Sequence, residues 1–214
     1  MIGDLRTTLQ AAREFLIERS AAKRSHSGAT LLTHLFGTAD ILMQCGASEA
    51  VVLAGLFHSA YGTASFRDAI CQWSERPALV ELIGIDAERW VWLFCRTNNR
   101  VRTISARLRN EAVPVVDRVT NESLEIGPSD INALASIEIA NLLEQNSLGN
   151  SWELAAHARA LGMIGPYGCR PFRLRPIDEL LGARDVGSEA AMKTERLSGD
   201  AVRIEMPIHA STII

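Results

Sequence analysis

The chain has little of what usually assigns a protein at sight. Its four cysteines, Cys45, Cys71, Cys95 and Cys169, form no CxxC pair and no cluster of the kind expected of a zinc knuckle. They are expected to be reduced thiols, most of them packed in the core. No run approaches the roughly 18 apolar residues of a membrane helix. The opening MIGDLRTTLQAAREFLIERS carries charges throughout instead of the apolar segment of a signal peptide. A soluble cytoplasmic protein without a membrane partner is the expectation. GxSxG is absent, so no nucleophile triad is recognisable, and glycine-rich phosphate loops and internal repeats are absent too. A net charge of −3 and a pI near 6.0 give no bulk attraction for phosphate backbones, so nucleic acid is not an expected partner.

What is present is helical periodicity. With 214 residues, 47% of them hydrophobic and 22% charged, the chain can bury one substantial core and carry an appendage. Apolar residues recur at helical spacing through about residue 145, and sustained alternation is hard to find, so the fold class is all-α. The spacing predicts helices over 4–22, with Leu5, Leu9, Ala12, Phe15 and Leu16 on one face, and over 29–45, closing at Cys45-Gly46. A third follows Ser48 and is apolar around most of its circumference, which implies central burial. Further helices are expected over 66–83, interrupted near Pro77, over 86–96, from Pro128-Ser129-Asp130 through INALASIEIANLLEQ, and over 152–161. Between 97 and 127 the pattern weakens. Arg100, Arg102, Arg107 and Arg109 there read as a solvated face, with a role on a ligand phosphate as the alternative.

After Gly162 the composition turns to glycine, proline and arginine, then to mostly polar residues. The expected division is a helical domain over 1–161 and a partly irregular C-terminal extension over 162–214. The final VRIEMPIHASTII has short alternating character that suits adding a strand to a partner or lying along the body, which leaves a homo-oligomer open.

The stretch His34 to Thr63, HLFGTADILMQCGASEAVVLAGLFHSAYGT, sets His34 and His58 within this apolar, helix-patterned context and points to a buried polar site. A histidine on one helix, Ile-Leu and a glycine turn, then Ala-Gly-Leu-Phe-His on the next resembles the HD-domain superfamily of helical metal-dependent phosphohydrolases and oxygenases. It is especially similar to the hydrolase domain of the alarmone synthetase/hydrolases, where a Ser-Gly precedes the first histidine as Ser27-Gly28 precedes His34 here. The match covers roughly residues 10 to 65, with a weaker echo at Ala140-Asn141-Leu142-Leu143.

The resemblance implies an HD-like fold and a divalent metal held by His34 and His58. Two anionic positions of the family have become neutral, however. The His-Asp doublet is His58-Ser59, and the late aspartate is matched by Asn141. The Glu-Asp pair that follows the doublet in alarmone hydrolases is Gly62-Thr63, so alarmone hydrolysis by that mechanism is not expected. Glu138, three residues before Asn141, and Glu144, three after it, could restore charge from the same helix, and His26 could supply a third imidazole. Three histidines and a carboxylate suit iron, manganese or zinc.

The expected metal shell is therefore His26, His34, His58, Glu138 and Asn141. Ser59, Tyr61 and Thr63 are expected to touch a small polar substrate, with Tyr61 and Glu138 in catalytic roles. Metal-assisted hydrolysis is the leading expectation, and oxidation by non-haem iron is the alternative. A third reading is a domain that has lost its chemistry and binds a ligand or a partner. Spacing alone favours reading His34 and His58 as hydrogen-bonded core residues and His26 as an exposed loop residue, and it is the resemblance that raises the metal reading beside it.

Overall fold

The computed structural model describes residues 5–161 apart from 20, 27 and 28, with only the backbone of 22, 25, 26, 29 and 150. Eight α-helices carry the described residues, and the fold is all-α. The expectations for the extension over 162–214, its strand and its self-association included, lie outside these residues.

Helix α1 (Leu5–Glu18) buries Leu9, Ala12 and Leu16 and half-buries Leu5 and Phe15, the face expected from the sequence. A short hairpin follows, in which β1 (Ser25–His26) pairs antiparallel with β2 (Ala29–Thr30). Thr30 ends the hairpin and caps α2 (Leu31–Gln44), its Oγ1 accepting the Thr33 amide at 3.1 Å. Helix α2 ends where glycine can turn left-handed, at Gly46 with φ of 73°. Helix α3 (Glu49–Leu56) has no polar face. Val52, Leu53, Ala54, Gly55 and Leu56 are all buried, which makes it the centre of the molecule.

Helices α4 (Arg76–Ile83) and α5 (Ile85–Arg96) follow. A single helix over 66–83 does not form. The chain over 66–72 is irregular, and Pro77 stands in the first turn of α4, where its missing amide hydrogen costs nothing, so it starts a helix instead of interrupting one. The weakly patterned stretch after Thr97 contains α6 (Arg100–Leu108) and then loops pinned by Asp117. Helices α7 (Pro128–Glu144) and α8 (Trp152–Ala160) complete the fold.

Helix α3 packs on α2, α5 and α7, and α2 and α5 each pack on α7. Helices α1 and α4 pack on one another, while α6 and α8 lie against α7. Phe57, Phe94, Leu35, Leu42, Leu56 and Leu134 fill the centre without exposure, each worth about 1.5–3 kcal/mol of burial. Ion pairs brace the periphery of this core. Glu88, 1% exposed, accepts two hydrogen bonds from Arg76 and one from Tyr61. Asp130 accepts from Arg89, from Trp90 Nε1 and from the Gly127 amide, tying α5 to the start of α7. Among the described residues no helix is long and apolar enough to cross a membrane.

Candidate functional site

The site grows out of the contact between α2, the end of α3, and α7. Helix α2 presents His34, and α3 tightens after Leu56 into turns in which the His58 and Ala60 amides reach back three residues. That tightening puts the His58 ring under its own helix end, where Nδ1 donates to the Gly55 carbonyl at 2.7 Å. His34 Nδ1 faces the Glu144 carboxylate, from the last turn of α7, in a short hydrogen bond. Gly37, one turn along α2 from His34, leaves the space for that carboxylate. A Cβ there would stand 2.8 Å from Glu144 Cγ.

The consequence is a pair of imidazoles, 1% and 2% exposed, whose Nε2 atoms face each other at 3.1 Å with the rings nearly perpendicular. Each Nδ1 has an acceptor beside it, so in the neutral tautomers both ring protons sit on Nδ1 and both Nε2 atoms carry lone pairs. Two lone pairs meeting at 3.1 Å require something positive between them, either a shared proton or a metal ion. Two imidazole nitrogens on one ion, bound at about 2.0–2.1 Å, stand roughly 2.8–3.4 Å apart for angles from octahedral to tetrahedral. The outer-nitrogen partners, a carboxylate and a backbone carbonyl, are also those that orient metal-binding histidines. The imidazole pair fits a transition metal.

The carboxylates are arranged differently from expectation. Glu138 is buried beside the pair, but its carboxylate is joined to Arg100 by a short salt bridge. Arg100 in turn lies over the Phe94 ring at 3.6 Å, and Phe94 meets the His58 ring edge-on at 5.1 Å. Asn141 lines the site and accepts from Gln145 Nε2 at 3.1 Å. Glu144 reaches His34 from its outer side. Among the described residues no three His, Cys, Asp or Glu side chains converge as a metal-holding group. The His26 imidazole lies outside the described side chains.

An open cleft of about 710 Å³ adjoins the pair. His34, His58, Ser59, Thr63, Glu138 and Asn141 line it, so six of the expected site residues are brought together. Ser59 is 2% exposed and its hydroxyl has no hydrogen-bond partner among the described residues. Thr63 Oγ1 accepts the Phe66 amide at 3.0 Å and holds the loop at the cleft's edge.

Tyr61 does not line the cleft. Its hydroxyl donates to Glu88 at 2.8 Å and its ring stacks on Trp73, within a cluster where Arg76 and Arg96 cover Trp92 and Trp73. Burial, then the Glu88 carboxylate, push its hydroxyl far above the ordinary tyrosine range, so it stays a neutral donor that braces α5. The alternation of directions through His58-Ser59-Ala60-Tyr61 is set by the turns after α3, which the sequence did not reveal.

Sequence reasoning missed two other features of the cleft. Ser105 on α6 and Ser151 before α8 also line it, and each is buried with a hydroxyl that has no partner among the described residues. Ser151 was detectable as the residue before a helix start. Ser105 carried no signal.

Residues 15–99 match the model of a family described as a domain of unknown function, DUF6817. The matched span holds both histidines and ends before α6, so Glu138, Asn141 and Glu144 fall outside it. No curated protein and no solved structure matches the chain.

Proposed function

We propose that the chain is a divergent HD-like metalloprotein whose His34 and His58 hold one divalent transition metal ion at the wall of the cleft, acting on a small polar molecule. The observation that carries this is the approach of two Nε2 lone pairs while both outer nitrogens have acceptors. The resemblance of the surrounding residues to the HD superfamily supports the same reading. Iron, manganese or zinc suits imidazole donors, and such an ion, when bound, would polarise a substrate oxygen or activate water.

The residues around it have separable tasks. Glu144 and the Gly55 carbonyl fix the two rings, and Phe94 and Arg100 wall the site from the α5 and α6 side. Arg100 engages the Glu138 carboxylate in a buried salt bridge, which argues against Glu138 as a metal ligand or free base. Ser59 presents a hydroxyl where the superfamily has a carboxylate, and it would donate to a bound ligand instead of bridging two ions. A single ion and metal-assisted hydrolysis therefore fit better than a two-metal mechanism, with oxidation at iron as the alternative chemistry.

The test is metal binding by the purified chain. Titration with manganese, iron(II) and zinc should give near-stoichiometric binding of at least one ion, and the His34→Ala/His58→Ala variant should lose it while keeping its helical content. Equal metal content in that variant would refute the assignment. The commitment of Glu138 to Arg100 favours a second reading, in which a proton bridges the imidazoles and the domain binds a ligand without chemistry. Absence of metal binding in the wild type would select it.

A further inference from the structure

Several features of the cleft have no task in the metal reading, and they share one chemistry. Part of its wall is the N-terminal turn of α6, Asn99 to Arg102, and part is the N-terminal turn of α8, with Ser151 and Glu153. Each helix has nine residues, and neither N-cap side chain bonds its helix's first amides. Asn99 is held left-handed at φ of 44°, and Ser151 is extended. The positive ends of two helices thus border the same cleft.

The hydroxyls are an independent observation. Ser105 and Ser151 are 4% and 7% exposed and line the cleft, and neither oxygen has a hydrogen-bond partner among the described residues. A buried hydroxyl left without a partner is costly, and one that lines a cleft is satisfied when a ligand accepts from it. Ser105 shares a face of α6 with Arg102 and Arg109, at spacings of three and four residues, and all three line the cleft.

Charge points the same way. Three guanidinium groups line the cleft against two carboxylates, and both carboxylates are engaged: Glu138 by Arg100, and Glu153 by Arg109 at 3.2 Å. Arg109 also binds Glu111 at 2.7 Å. Arg102 makes no salt bridge among the described residues, although its charge helps hold the Glu111 carboxyl low after that of Arg109. The donors exceed the acceptors, and a cationic ligand would find no uncommitted carboxylate here.

We propose that the cleft carries an oxyanion subsite, in which the α6 and α8 N-termini, the Ser105 and Ser151 hydroxyls and the Arg102 guanidinium bind a carboxylate or phosphoryl group of a small ligand. This goes beyond the metal reading and does not depend on it, because none of these groups touches the imidazole pair.

Inorganic phosphate, with acetate as the second arm, should be titrated by calorimetry and thermal shift into the full chain after metal removal, against sodium chloride of equal ionic strength. Saturable binding of either anion beyond the chloride control is expected. Arg102→Gln and the Ser105→Ala/Ser151→Ala variant should each weaken it about tenfold or more, as expected for lost hydrogen bonds to a charged group. The His34→Ala/His58→Ala variant should retain it. Preference for phosphate or for acetate tells which group the subsite takes, and either supports it. Binding no better than chloride, affinity unchanged in both subsite variants, or loss only in the histidine variant would overturn the proposal. If circular dichroism shows that the serine variant is unfolded, Arg102→Gln decides, because that side chain is exposed and braces nothing in the core.

Discussion

Gly37→Ala isolates the outer support of His34 without touching either imidazole. The added methyl would sit 2.8 Å from Glu144 Cγ and 3.3 Å from its Oε1, too close to tolerate, but the obstacle is a flexible side chain that is 18% exposed. The carboxylate is therefore expected to swing toward solvent while α2 stays in place. Alanine in a helix interior is favoured over glycine by about 1 kcal/mol. Against this stands the loss of a charge-assisted hydrogen bond to a buried ring nitrogen, about 1.5–3 kcal/mol. The net is a destabilisation of about 0.5–2 kcal/mol, readable by chemical denaturation. The effect on metal should be larger, because removing the orienting partner of a metal-bound histidine costs roughly 10–100-fold in affinity. Glu144→Gln should show a similar loss, and combining it with Gly37→Ala should add little, since both act through one contact. Ion affinity unchanged in Gly37→Ala, together with full additivity in the double variant, would mean that Glu144 does not position His34.

Four further outcomes follow from named contacts. Arg100→Met should destabilise the chain by about 3–5 kcal/mol, because it strands the Glu138 carboxylate, 2% exposed, without its partner; a denaturant midpoint near that of wild type would contradict the pairing. Tyr61→Phe should cost about 1.5–3 kcal/mol through the lost bond to the Glu88 carboxylate and leave metal and anion binding unchanged, whereas a change in either would bring Tyr61 back to the cleft. Burial alone would raise the Asp130 carboxyl, but Arg89, the Gly127 amide and Trp90 leave it below its ordinary value. The unfolded chain then takes up that proton first as pH falls, so the stabilisation is full above about pH 4 and lost below the folded value. Asp130→Asn should accordingly lower the melting temperature at pH 7, with the difference shrinking below pH 4, and a pH-independent difference would count against this linkage. Ser59→Asp should strengthen manganese or iron binding, since the Ser59 hydroxyl lines the cleft without a partner, and calorimetry showing no gain would mean that the position faces away from the ion.

The helices were legible because burial imposes a period on the sequence. The α1 stripe of Leu9, Ala12 and Leu16, the all-round apolar α3 and the glycine stop at Gly46 are local consequences of local residues. Pro77 was legible as a discontinuity, but whether proline ends a helix or begins one depends on which neighbouring residues find a core to pack on. The candidate site was half legible. His34, His58, Ser59 and Asn141 could be named because the resemblance to the HD superfamily matches them to its ligand positions, and Glu138 because helical spacing sets it beside Asn141, and all of them line one cleft. What each one does was set by partners far away in sequence. Glu138 meets Arg100, 38 residues away, and Glu144 meets His34, 110 residues away, so one carboxylate is neutralised and the other orients a ring. Tyr61 points away from the cleft because the chain tightened into turns after Leu56, a change of backbone path that no composition records. The sequence by itself determined which faces are apolar and where the chain can turn. Only the packing of α6, α7 and α8 decided which polar groups are satisfied by one another and which are left facing a cleft, because hydrogen bonding is directional and depends on distances that burial alone does not fix.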